Sequence, residues 1–146
     1  MSACDILVIA NLNMDLILEQ KNSQQTSRKR YADSFTLSPG GNGYNEAVAA
    51  ARMGATVALA GMIGSDSFGA QLKASLNEEI TDSQLVRVVP GSSGLSLILS
   101  SAGQENIYWD IVGANACLDE EYIRGLESHI AKVKLLVVGF GVPYAS

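Results

Sequence analysis

The chain has 146 residues, 47% of them apolar and 6% aromatic, with a formal charge of −5 and an isoelectric point near 4.7. That size and composition fit one ordinary soluble domain around a single core, and the acidic balance excludes a surface built for nucleic acid, which needs a concentrated positive field. Arg28, Lys29 and Arg30 form the one basic run, short enough to read as a solvated loop. Cys4 and Cys117 stand far apart with no CxxC spacing and His129 is the sole histidine, which excludes a zinc site and a disulfide framework and suits a reducing cytoplasm. Apolar runs such as Ile6 to Ala10 fall well short of the ~20 residues of a membrane span, and no secretory signal is visible.

Asp5 to Ala10, "DILVIA", is a continuous apolar run of the kind that forms a strand buried on both faces of a parallel sheet. Lys21 to Arg30 is polar and aperiodic and reads as an exposed loop, after which Tyr31 to Leu37 predicts a strand with one wet face. "SPGGNGYNEAVAAARMGA" then places a glycine turn at the start of a helix over Gly43 to Met53, with Gly54 where a C-terminal cap glycine is expected. "TVALAG" is the next buried strand, and "SDSFGAQLKASLNEE" is an amphipathic helix with Ser65 or Asp66 as its N-cap. This alternation is that of an α/β unit.

Between Gln84 and Val112 the rhythm changes. "QLVRVV", "GLSLILSS" and "NIYWDIV" are β-rich, the last two joined by a hairpin connection at Ala102 to Glu105. Such an inserted meander covers an edge or forms a lid. Asp119 to Val133 predicts a helix capped by Asp119, and Lys134 to Val138 another buried strand. Because "LLVVGFGVPYAS" follows that strand so closely, apolar sheet faces are left to be covered, and the chain reads as the front part of a larger α/β protein.

The glycine turn is the first candidate for chemistry. It lacks the lysine and hydroxyl of a P-loop, and a dinucleotide fingerprint would need GxGxxG directly after the first strand, where "NLNMD" stands instead. Two readings remain: glycines that let helix N-terminal amides approach a ligand while Asn42 and Asn45 present amide groups, or a close-packed helix entry. "NLNMD" lies just past the carboxyl end of a buried strand, where open α/β sheets bind ligands. Asn13 and Asp15, two apart, face one way in an extended chain, so an amide and a carboxylate reach a single polyol; the alternative is an Asx-type turn that ends the strand.

In order and spacing, "ANLNMD", "GGNGYNEAVAAARMGA", "GMIGSDSFGAQL", "GLSLIL" and "QENIYWDIVGAN" resemble the ribokinase family of carbohydrate kinases, the PfkB-type kinases, over essentially the whole chain. The resemblance implies an α/β ribokinase-like fold, with a mostly parallel central sheet flanked by helices and a small β-sheet lid. Residues 1–146 would be the N-terminal part of one such domain, with lid segments at about 12–38 and 93–112 and the C-terminal half of the fold absent. Asn13 and Asp15 match the pair that binds sugar hydroxyls, and Gly40, Gly41, Asn42 and Asn45 the turn that completes the sugar site. Ser96 and Asp110 fall at lid positions that commonly carry small or aliphatic residues. There an aspartate would read an extra hydroxyl or an amine, or else face solvent. Tyr108 and Asp110 would point one way, Trp109 and Ile111 the other.

Ribokinase typically carries lysine where Asn42 stands, and a glutamate near the position of Gly141, so this sugar site is differently furnished. The resemblance implies γ-phosphate transfer from ATP, with Mg2+, to a hydroxyl of a sugar or nucleoside in a cytoplasmic enzyme that pairs into a homodimer through the lid. No GAGD-type run occurs, so the catalytic aspartate and most of the ATP site are expected beyond Ser146. Asp66 is expected to cap a helix, no residue to hold a metal, and the 146 residues alone to be inactive. The alternative is a non-catalytic carbohydrate-binding or dimerisation module.

Overall fold

A computed structural model describes residues 4–21 and 29–139. Two four-stranded sheets organise the chain. In the first, β1 (Ile6–Ile9) pairs in parallel with β4 (Val57–Gly64) on one side and with β8 (Leu135–Val138) on the other, and β4 pairs in parallel with β5 (Val86–Val89). The second runs β3 (Ser34–Gly40), β2 (Asn13–Gln20), β6 (Gly94–Ser101), β7 (Ile107–Ile111), with β2 and β6 parallel and the outer pairs antiparallel.

Side-chain alternation explains why β1 needs apolar residues at every position. Val8 and Ala10 enter the core shared with α1 (Asn42–Arg52) and α2 (Ser67–Glu79), whereas Leu7 and Ile9 enter an opposite core with Met62, Leu118, Tyr122 and Leu126. Gly54, at φ +93, ends α1 as its sequence position predicts. Asp66 caps α2 by accepting the Gly69 N–H at 2.8 Å, and it also accepts the Ser93 N–H and hydroxyl at 3.0 and 2.7 Å. That cap thus ties α2 to the start of β6, and its three donors hold the Asp66 carboxyl below the usual carboxylate range despite a contrary contribution from burial.

Four expectations need correction. "VRVV" belongs to the central sheet as β5, not to the meander; its parallel register with Gly61 to Gly64 follows from the α2 crossover. The strand expected over Tyr31 to Leu37 begins at Ser34 and runs to Gly40, and Tyr31, Phe35 and Leu37 are exposed. The single helix expected from Asp119 is two short ones, α3 (Glu120–Arg124) and α4 (Glu127–Ile130), interrupted at Gly125, a weak helix former. β8 forms as expected but is largely exposed; among the described residues it is an edge strand, with β1 as its one neighbour. Most of the Lys21 to Arg30 loop, and Gly141, lie outside the described residues.

Candidate functional site

The two sheets meet where β1 ends, and a cleft of about 410 Å³ opens there between the start of α1 and one face of the second sheet. Asn13, Asp15, Gly41, Asn42, Asn45, Ser96 and Asp110 all line it, as do Asn11, Tyr108 and Asn115. Gly40 does not line it and acts one step back. A Cβ there would fall 2.0 Å from Asp15 Oδ2, so the carboxylate occupies the space a side chain would need.

Strand register sets the pattern. Asn13 sits in one row with Gly40 and Gly94, and Asp15 in the next with Ser38, Ser96 and, beyond Ser96, Asp110. Gly40 leaves its room to Asp15, and Gly94 leaves room to Asn13 and Asn115: a Cβ on Gly94 would lie 2.2 Å from Asn13 Oδ1 and 2.3 Å from Asn115 Nδ2.

One directional chain of hydrogen bonds crosses the site. The Leu12 N–H donates to Asn115 Oδ1 at 2.9 Å, Asn115 Nδ2 to Asn13 Oδ1 at 2.9 Å, Asn13 Nδ2 to Ser96 Oγ at 3.0 Å, and the Ser96 hydroxyl to Asp110 Oδ1 at 2.6 Å. Asn115 Nδ2 also donates to the Leu12 and Val112 carbonyls. The chain fixes both amide orientations and ends on a carboxylate, the one member that only accepts. Asp110 is exposed at the rim yet bonded, so it is both a solvent-facing residue and a cleft residue.

The glycine turn works differently from its sequence reading. Gly41, at φ +83, directs its N–H to the Asp15 carboxylate, and the Gly43 N–H donates to the Asn11 carbonyl at 3.2 Å. Two amides expected to face a ligand are therefore spent on seating β1, β2 and Asp15. Burial pushes the Asp15 carboxyl above the usual carboxylate range; the Gly41 N–H opposes that shift and the nearby Asp110 charge adds to it. Asp15 and Asp110 are the charged side chains among the lining residues. Among the described residues no cluster of three or more His, Cys, Asp or Glu is placed to hold a metal ion, and no helix is long and apolar enough to cross a membrane.

Two residues escaped the sequence reading. Asn11 repeats the two-residue spacing of Asn13 and Asp15, so its place beside them was accessible from the pattern. Its Oδ1 is buried and has no partner among the described residues. Asn115, 2% exposed, lies about a hundred residues from the atoms it binds, and only the fold brings them together.

Residues 4–144 match the model of the pfkB family of carbohydrate kinases. The chain belongs to that family. It is 30% identical over 139 residues to the ribokinase of Haemophilus influenzae, covering 94% of this chain and 45% of that protein. It is 31% identical over 135 residues to a deoxyribokinase of Salmonella typhi, covering 92% and 44%. The crystal structure of ribokinase from Cryptococcus neoformans var. grubii in complex with ADP superposes with a TM-score of 0.81 at 28% identity, over 96% of this chain and 43% of that one. The chain thus spans about half the length of the curated relatives it matches, and its mostly parallel sheet with a second sheet beside it is the ribokinase-like fold.

Proposed function

We propose that the cleft is the acceptor side of an ATP-dependent sugar or nucleoside kinase, in which Asn13, Asp15, Asn42, Asn45, Ser96 and Asp110 bind hydroxyl groups while Gly40 and Gly41 seat Asp15. The observation that carries this reading is a half-buried, glycine-seated carboxylate facing a cleft otherwise lined largely by amide and hydroxyl groups. Asp15 accepts from hydroxyls, the asparagines both donate and accept, and the buried Asn11 Oδ1 is satisfied by a ligand hydroxyl. The second sheet is the lid over the sugar.

Phosphoryl transfer also needs a nucleotide cradle, metal-linked charge neutralisation and a base for the attacking hydroxyl. ATP and Mg2+ would be the cofactors of the whole kinase, but no residue of this chain is assigned to them: the described residues hold no metal cluster and the sequence no GAGD-type anion hole. The 146 residues therefore bind sugar without turning it over. Calorimetry and phosphate-transfer assays on this chain with ribose, deoxyribose, fructose and nucleosides test both halves. Binding of at least one, with no ATP consumption, is the expected result; no binding contradicts the site, and robust turnover contradicts the inactivity.

The outer face of the lid supports homodimerisation in a cytoplasmic enzyme. Strand register lines up Leu37, Leu16, Leu97 and Trp109 in one row and Phe35, Leu18, Leu99 and Ile107 in another, and Phe35 and Trp109 are 69% and 54% exposed. This apolar sheet face also favours a second reading, a non-catalytic binding or dimerisation module. Trp109→Glu is expected to convert a dimer to a monomer in sedimentation velocity; a wild-type monomer at micromolar concentration refutes pairing through the lid.

A further inference from the structure

The sugar-site reading leaves one charge unexplained. Hydroxyl recognition needs one well-placed carboxylate, and Asp15 supplies it from the interior of the second sheet. Asp110 adds a second on the same face, on the edge strand β7, in the row Asp15, Ser96, Asp110. Two strand spacings separate the aspartates, roughly 10 Å between their Cα atoms, so their side chains flank the surface above Ser96. Neither has a cationic partner among the residues lining the cleft. The hydrogen-bond chain from Leu12 to Asp110 delivers one donor to one oxygen of Asp110, and a carboxylate has about four acceptor positions.

A neutral hydroxyl gains little from a second carboxylate at that distance. A cation relieves the repulsion between the two, and its charge adds a Coulombic attraction to both carboxylates that a hydroxyl lacks. Tyr108, next to Asp110 in the cleft lining, adds an aromatic side chain of the kind that favours an ammonium over a hydroxyl when its face is presented.

Resting on the proposal that the cleft binds a sugar, we infer that its preferred acceptor carries a protonated amine, held above Ser96 between Asp15 and Asp110, and that Asp110 is the residue that selects it. Asp15 reads hydroxyls in either kind of sugar; Asp110 distinguishes them.

Matched pairs test this at neutral pH by calorimetry on this chain: 3-amino-3-deoxy-D-ribose against D-ribose, and 2-amino-2-deoxy-D-glucose against both D-glucose and its N-acetyl derivative. In at least one pair the amine is expected to bind about tenfold tighter than the parent sugar. N-acetylation, which removes the charge, should erase any advantage of the glucose-derived amine, added salt should shrink it, and Asp110→Asn should bring the amine-to-parent ratio to about one. Parent sugars binding as tightly as every amine, or an amine advantage that survives Asp110→Asn, overturns the inference and leaves the sugar site standing. No binding by any of these sugars overturns the inference, and the sugar site falls with it only if deoxyribose, fructose and the nucleosides fail to bind as well.

Discussion

Asp15→Asn is expected to weaken sugar binding by about 10- to 100-fold while raising the thermal stability of the unliganded protein. The loss follows from replacing an ionised acceptor by a neutral amide, since hydrogen bonds to charged groups contribute about 1.5–3 kcal/mol each. The gain follows from the cost of the carboxylate. Burial and Asp110 raise the Asp15 pKa in the folded chain, so the folded state binds the proton more tightly than the unfolded state does. Asp15 therefore favours folding below its unfolded pKa and loses that contribution as pH rises through the folded value. At neutral pH the ionised group is a net cost, which the amide removes while its Oδ1 still accepts the Gly41 N–H. Sugar affinity of the wild type should rise with pH across the same acidic window, as the acceptor ionises, and Asp15→Asn should flatten that rise. A melting temperature that falls in Asp15→Asn, or an affinity that does not change, contradicts the assignment.

Asn115→Ala should destabilise the fold by about 2–4 kcal/mol, measured by urea unfolding. The side chain is almost fully buried and bonds both the N–H and the C=O of Leu12, Asn13 Oδ1 and the Val112 carbonyl. Truncation removes this partner from the Leu12 N–H and C=O and from Asn13 Oδ1, each loss an appreciable fraction of the total stability, while the Val112 carbonyl keeps the backbone N–H of residue 115. It also releases Asn13, so sugar affinity falls along with stability. Asn115→Asp keeps the acceptor for the Leu12 N–H but sets a carboxylate oxygen against two carbonyls, and it should be no better than the alanine. A stable Asn115→Ala protein would mean that the clamp between β2 and the 3-10 turn Gly113–Cys117 is not what positions the site.

The central strands were legible because a strand covered on both faces must be apolar throughout, as in "DILVIA" and "TVALAG". The helix starting after Gly41 was legible because Gly54 and the alanine-rich run mark its extent. The second sheet was harder: β2 and β3 carry polar residues toward the cleft and apolar residues outward, the reverse of an ordinary half-buried sheet, so Phe35 and Leu37 suggested a buried face they do not have. β5 was misassigned because parallel pairing depends on a partner 25 residues back that composition does not encode.

In the site, Asn13 and Asp15 were accessible through their alternation on a strand, and Ser96 and Asp110 only through the family resemblance. Invisible beforehand was the use of the glycines. Gly40 and Gly94 make room for side chains, and Gly41 donates to Asp15, so the turn that resembled a ligand cradle builds a carboxylate that lines the cleft. Asn115 ends the quoted motif "QENIYWDIVGAN", but nothing local in that run points to its partners at Leu12 and Asn13.

The central claim is that a sugar sits in this cleft against Asp15. Two-dimensional 1H–15N spectra of the uniformly labelled chain, titrated with the tightest-binding sugar, read it directly. Shifts are expected at the Gly41 amide and at the side-chain amides of Asn13, Asn42 and Asn45, with Asp15→Asn needing about 10- to 100-fold more sugar to produce them. Saturable shifts confined to another surface, such as the acidic patch from Asp119 to Arg124, or cleft shifts that persist unchanged in Asp15→Asn, would contradict it.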